Sequence, residues 1–194
     1  MWFPREQLVA FLIAISFAAG LNAYATAATL GLLAHAGVIL LPGELGILDD
    51  WWVIGLSSAL FLVEFVADKI PVFDLAWNAL HTFVRVPAGA LLGYGATAGL
   101  GPQWQLAAAT IGAAIALAAH GGKTAARAAV TPSPEPFSNF ALSTAEDAFA
   151  IFVTWFATRH PFAAAGIVLV LVAALVVSAR WVARAVRGMF RTPA

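Results

Sequence analysis

An apolar stretch over residues 7–41 limits what this chain can fold into more than any other feature. It is longer than the roughly 20 residues that a helix needs to cross a bilayer. Similar segments follow, so that hydrophobic residues make up 62% of the chain and charged residues only 10%. Because a soluble domain carries about 25% charged residues, this chain lacks the polar surface that water requires. We therefore predict an all-α, polytopic membrane helix bundle.

The apolar segments predict six transmembrane helices within one transmembrane domain, residues 1–194, divisible into halves 1–100 and 101–194. We expect the spans near residues 7–41, 51–70, 87–99, 103–120, 143–159 and from 161 onward. The chain start resembles a secretory signal, but the length of its apolar stretch favours a retained span. Alternating prolines predict a loop over residues 130–140. The absence of cysteine excludes disulfides and thiolate metal sites, and the net charge of zero argues against nucleic acid as a partner.

A polar cluster interrupts the first apolar stretch at Asn22 and Tyr24, just after Gly20. One interpretation is a tilted helix in which Asn22 bonds to a neighbouring helix. The other is a local break that lines a substrate path, as in the discontinuous helices of transporters. The residues alone leave both interpretations open.

Residues 72–85 have a different pattern from the spans around them. Four polar residues recur there at helical spacing: Asp74, Asn78, His81 and Arg85. This one-sided pattern predicts an amphipathic helix at the membrane surface or packed under the bundle. We expect a new span to begin near Pro87, because proline is favourable in the first helical turn.

The span that follows Pro87 carries glycines at small-xxx-small spacing over residues 89–99. Such spacing allows helices to approach closely. It fits packing within the bundle as well as it fits a homo-oligomer.

Two acids, Glu64 and Asp68, lie one helical turn apart inside the second span. A charge at the centre of a membrane helix costs on the order of 2.5–3.5 kcal/mol, so such residues need partners or a function. We expect Glu146 and Asp147 to open the fifth span behind a capping box, residues 143–146, at the same depth. The predicted charged layer and the polar residues around it form the candidate solute or ion path: Asn22, Tyr24, Glu64, Asp68, Lys69, His81, Arg85, Lys123, Arg127, Asn139, Glu146 and Asp147.

The distribution of basic residues predicts the orientation of the bundle. With six spans and both termini cytoplasmic, Lys69, Arg85, Lys123 and Arg127 all lie on the inner side, and Arg159 lies outside. We therefore expect a multi-pass membrane protein with both termini cytoplasmic.

A short internal similarity relates residues 65–71 to residues 155–161, which both end in a basic residue, one intervening residue and proline. Each half would cross the membrane an odd number of times, so a repeat of this kind must be inverted. Inverted 3+3 repeats are typical of transporters and of some channels.

Several segments together resemble the bacterial membrane-protein family catalogued as Domain of Unknown Function 4126. They are AAGLNAYATAATLGLLA, EFVADKIPVFD with LHTFVRVPAGALL, HGGKTAARAAVTPSPEPFSN and LSTAEDAFA. The resemblance implies a polytopic inner-membrane protein. It implies no substrate and no catalytic residue.

The intramembrane acids, the polar cluster at Asn22 and the repeat favour a small transporter or channel for an unknown solute or ion. A non-transporting scaffold or lipid-interacting protein, with the charges as structural contacts, is the main alternative. An intramembrane enzyme acting on lipids, with Glu64 and Asp68 as acid and base or as metal ligands, is a third. No residue spacing predicts a metal site, and we expect no cofactor.

Overall fold

The computed structural model describes residues 4–69, 71–130 and 136–189. Over these residues the chain forms seven α-helices and one 3-10 helix, Gly43–Asp49, and the predicted all-α class is confirmed. The α-helices are α1 (Arg5–Leu21), α2 (Ala23–His35), α3 (Trp51–Ala67), α4 (Pro71–Ala96), α5 (Pro102–Val130), α6 (Pro136–Arg159) and α7 (Pro161–Met189).

Three helical segments are long and apolar enough to cross a membrane: Pro102–Arg127, Phe140–Arg159 and Pro161–Ala185. The 3-10 helix and α3 add a fourth if they form one crossing, which is bent by 74° between them. α1 is also apolar but shorter. The chain is thus a helical bundle of the membrane-spanning type, and six spans and an inverted repeat stay predictions.

α1 forms the centre of the bundle, where it contacts α4, α5, α6 and α7. From Ala10 to Leu21 nearly all its side chains are buried, with Phe11, Ile15 and Ala18 fully inaccessible. A helix that is apolar all round is stable only when protein or lipid surrounds it, and here other helices surround it. Gly20 brings the end of α1 against Ala116 of α5.

α4 runs without interruption through Pro87, so the prediction of a separate interfacial helix ending before this proline was wrong. Its polar face points into the bundle, where Asn78, His81 and Arg85 are buried, while Phe83 on the opposite side is exposed. The helix continues because neighbouring helices can accommodate a proline within a membrane bundle. The side chain of Asp74 lies outside the described part of the chain.

α5 also extends further than predicted, because it continues through Gly121 and Gly122 to Val130. Glycine weakens a helix by about 1 kcal/mol relative to alanine, which tertiary contacts can offset. Here Gly122 packs against Leu175 of α7, and the next turns carry Lys123 and Arg127 to buried acids.

α6 begins at Pro136, so the predicted start at a capping box over residues 143–146 was wrong. Ser143 lies inside the helix, about two turns after its start. Proline is itself favourable in the first helical turn, which explains the earlier start. Within the predicted 130–140 loop, residues 131–135 lie outside the described residues, and residues 136–140 belong to α6.

The glycines of α4 pack inside the bundle. A Cβ atom at Gly93 would meet the main chain of Ala108 in α5, and one at Gly89 would meet Gly112. These two positions of the predicted small-xxx-small pattern therefore bring α4 and α5 together within one chain.

Substituting alanine for Gly93 is expected to destabilise the protein by about 1–3 kcal/mol, because the added methyl group must push two main chains apart. Gly166 is the matched control, since nothing lies within 4 Å of a Cβ built on this helical residue. Gly166→Ala should leave stability unchanged or raise it by up to about 1 kcal/mol. Thermal unfolding in detergent compares the two variants, and equal melting temperatures would contradict the close contact.

Candidate functional site

The first apolar stretch is broken at Asn22, whose extended backbone (φ −152°, ψ 104°) separates α1 from α2. The Asn22 side chain caps α2 by accepting a hydrogen bond from the Ala25 N–H at 2.9 Å. Its Nδ2 also donates to Oδ1 of Asp147 in α6 at 2.9 Å. The local break is thus confirmed, and the bond to a neighbouring helix, expected for a tilted helix, is present too.

The break leaves main-chain carbonyls at the end of α1 without helical partners. The Leu21 carbonyl accepts a hydrogen bond from Nζ of Lys123 at 3.3 Å. A cation is favourable at this position, because the C-terminal end of a helix carries partial negative charge.

Lys123 belongs to a buried network with Asp68, Arg127 and Glu146. Oδ2 of Asp68 accepts hydrogen bonds from Lys123 Nζ and from Arg127 Nη2, both at 3.0 Å. Arg127 Nη2 also donates to Oε2 of Glu146 at 2.7 Å, and Lys123 Nζ lies 3.6 Å from the same oxygen. The network joins the end of α3 to α5 and α6.

Asp68 lies just beyond the last residue of α3. Its buried carboxyl group accepts hydrogen bonds from two cationic side chains, Lys123 and Arg127. The carboxylate form is therefore the one that this network binds.

A second buried network surrounds Arg85 of α4. Its Nη2 donates to Oε1 of Glu64 in α3, and both side chains are fully buried. Its Nη1 donates to Oδ1 of Asn78 at 3.2 Å and contacts Nδ1 of His120 in α5 at 2.9 Å. Since a guanidinium group only donates, His120 Nδ1 must accept, and the proton lies on Nε2, 2.8 Å from the Thr82 hydroxyl oxygen.

Three further predicted site residues lie around these networks. The Tyr24 ring meets the His81 ring edge-on, with centroids 5.7 Å apart, and His81 Nδ1 bonds the Trp77 carbonyl at 2.8 Å. Lys69 is partly exposed, and its Nζ donates to the Phe65 carbonyl at 2.8 Å. The side chain of Asn139 lies outside those that the structure describes.

Glu146 and Asp147 do not open a helix, contrary to the prediction. They lie about three turns after the start of α6, where the helix terminus no longer contributes partial positive charge. The two acids are held instead by side chains from other helices, Glu146 by Arg127 and Asp147 by Asn22.

The site also includes residues that the sequence analysis did not select. Asn78 shares a helical face with Arg85, and that spacing could have indicated a role for it. The residue type of His120 indicated a proton acceptor, whereas Thr82 had no such signal, because an isolated polar residue in an apolar segment does not reveal which helix it faces.

A partly open apolar cavity of about 400 Å³ lies between α2, α4 and the 3-10 helix. It begins at Ala23, directly after the break, and at Ala88, one turn after Arg85. It extends along α4 to Tyr94 and reaches Glu44 in the 3-10 helix. The charged networks themselves are closed, since Glu64, Asp68 and Arg85 have no accessible surface.

The model of the family described as Domain of unknown function (DUF4126) matches residues 9–181. The match covers most of the chain, which therefore belongs to this family. No curated protein and no solved structure matches the chain.

Proposed function

We propose that this member of the DUF4126 family is a small transporter or channel, in which a solute or ion passes the break at Asn22. The observation that carries the proposal is the interruption of the central helical stretch at a point where α3, α5 and α6 bring charged side chains together. Non-helical backbone at membrane depth is tolerated where protein buries it or where it lines a cavity. In transporters, substrate and coupling ions bind at such discontinuous helices.

The apolar cavity supports the same function, because it is partly open and is lined by Ala23, directly after the break, and by the 3-10 helix. The salt bridges of Glu64 and Asp68 close the other side of the break. A closed polar layer next to a partly open cavity is the arrangement expected when access alternates between two sides of a membrane.

We extend the proposal to the topology. α1 and α2 would form one broken crossing, and α3 to α7 would form five more, with both termini cytoplasmic in an inner membrane. Exposed arginines at the end of α7 support this orientation: Arg180, Arg184 and Arg187. An inverted repeat is supported by the junctions before Pro71 and Pro161, since each joins two helices through a short break followed by proline.

A second function, a scaffold in which the charges only hold the helices together, is favoured by one observation. The ion pair of Glu64 and Arg85 is fully buried on both sides, and such pairs can fix how helices pack. The two functions differ in whether loss of a charge affects flux in a protein that stays folded.

Reconstituted proteoliposomes with gradients of Na⁺, K⁺, Cl⁻ or H⁺, followed by ion-sensitive dyes, test the transport function. We expect flux above that of empty liposomes, and a decrease of at least about tenfold in Glu64→Gln and in Lys123→Ala, equivalent to about 1.4 kcal/mol or more. Asp50→Asn is the control, because Asp50 is exposed in the loop before α3. Wild-type flux in folded Glu64→Gln and Lys123→Ala would refute transport through this layer and favour the scaffold.

A further inference from the structure

Asp147 is the buried acid of the site that has no cationic partner. In the described part of the chain, Glu64 pairs with Arg85, while Asp68 and Glu146 share Lys123 and Arg127. Asp147 is only 2% exposed, yet its Oδ1 bonds the neutral amide of Asn22 and its Oδ2 has no hydrogen-bond partner. A buried carboxylate without a compensating charge is costly, so it favours a proton or a bound cation.

Ser143 provides a second oxygen at the same place. It lies one turn before Asp147 on the same face of α6, because residues four apart in a helix are neighbours. Its side chain is fully buried, and within the described residues its hydroxyl oxygen has no hydrogen-bond partner. Oδ2 of Asp147 and the hydroxyl oxygen of Ser143, neither with a hydrogen-bond partner among the described residues, thus lie on the same face of α6.

The break between α1 and α2 adds a third feature that favours positive charge. Asn22 links the break directly to Asp147, and the carbonyl end of α1 is adjacent at Leu21, whose carbonyl already accepts a hydrogen bond from the cationic Lys123. Main-chain carbonyls and helix C-terminal ends at such breaks are typical ligands of Na⁺ and H⁺ in membrane transporters.

We propose that Asp147 and Ser143 bind one monovalent cation, H⁺ or Na⁺, beside the helix break. A single positive charge neutralises the buried carboxylate of Asp147, which forms no ion pair with the described residues. The role of this cation as a coupling ion rests on the proposed transport function, whereas its binding does not.

Charged groups of neighbouring elements surround the site. Lys123 of α5 and Lys69 after α3 favour the ionised form of Asp147, and neither forms an ion pair with it. Asp68 after α3 and Glu64 of α3 oppose that form. These influences act in opposite directions and partly cancel, and burial still disfavours a carboxylate that forms no ion pair.

Thermal unfolding of the full chain in detergent tests the binding without any measurement of flux. Na⁺ replaces choline at constant ionic strength, at neutral and at acidic pH. For wild type we expect the melting temperature to rise by about 5–10 °C at a saturating cation concentration. Asp147→Asn, which keeps the hydrogen-bonding shape and removes the charge, should abolish this rise.

Ser143→Ala keeps the carboxylate of Asp147. It should raise the cation concentration that gives half of the maximal rise in melting temperature by at least about threefold. Thr154→Val is its matched control in α6, because the Thr154 hydroxyl is also buried but donates to its own helix at Ala150. If Asp147→Asn does not fold, the comparison of Ser143→Ala with Thr154→Val decides alone.

If Na⁺ raises the melting temperature of wild type but not that of Asp147→Asn, the site binds sodium. If only acidic pH raises the melting temperature of wild type, and Asp147→Asn lacks this rise, the site binds a proton. Unchanged responses to both in Asp147→Asn, or equal responses of Ser143→Ala and Thr154→Val, would overturn the proposal. A cation response in a protein without flux refutes transport and leaves the site intact. Flux without a cation response at Asp147 refutes the site alone.

Discussion

Asp68→Ala is expected to lower the free energy of unfolding by about 3–5 kcal/mol. One oxygen of Asp68 accepts hydrogen bonds from both Lys123 and Arg127, whose side chains have almost no accessible surface. Its loss removes one carboxylate from two buried cations, both of which also contact Glu146. Unfolding by SDS in mixed micelles, which is reversible for many helical membrane proteins, measures the change.

Two variants make the Asp68 result specific. Asp68→Asn keeps the shape and removes the charge, so it should destabilise the protein nearly as much as alanine does. Asp50→Ala removes an exposed acid at the start of α3, whose side chain makes no capping hydrogen bond, and should change stability by no more than about 0.5 kcal/mol. A loss below about 1 kcal/mol in Asp68→Ala would mean that the network contributes little to stability.

The sequence was sufficient to predict the fold class and several helix boundaries. The low charge content requires a membrane bundle, and prolines at positions 71 and 161 begin helices because their fixed backbone angle suits the first turn. The break at Asn22 was one of two alternatives. A polar cluster indicates only that the helix is weak there, and the break also depends on Asp147, which is distant in sequence.

The boundaries that were wrong lie where packing outweighs local preference. Gly121 and Gly122 predict a helix end, yet contacts of α5 with α7 and the ion pairs of Lys123 continue the helix. The polar face of α4 fitted both the membrane surface and a position packed under the bundle, because local periodicity does not distinguish water from a polar bundle interior. The buried acids opposite Arg85 and Lys123 decide between these environments.

The sequence predicted which residues form the charged layer better than it predicted which acid contacts which base. The predicted candidates Glu64, Asp68, Arg85, Lys123 and Arg127 all lie in the buried networks. Which acid meets which base depends on the rotation of each helix about its axis, and hydropathy does not determine that rotation. The same reason hides the contacts of His120 with Arg85 and Thr82, which appear only once the helix faces are known.

Arg85→Met is expected to destabilise the protein by about 3–5 kcal/mol, because it leaves the Glu64 carboxylate buried without a cation. Asn78 and His120 also lose a hydrogen bond from the guanidinium group. Glu64→Leu should destabilise the protein by a similar amount, since it leaves the buried Arg85 without its carboxylate partner. The double variant Glu64→Leu/Arg85→Met removes both charges and should recover at least about 2 kcal/mol relative to the sum of the single changes. Additive losses would show that the two residues are not coupled.

The same double variant separates the two proposed functions, because it removes the charges without leaving either one buried alone. If the pair only holds α3 against α4, a well-packed apolar pair should preserve the fold and whatever activity the protein has. If Glu64 and Arg85 border the path at the helix break, the folded double variant should lose at least about tenfold in flux, since the polar groups that replace water along the path are gone. Stability close to wild type with unchanged flux would therefore favour the scaffold, and stability close to wild type with lost flux would favour transport.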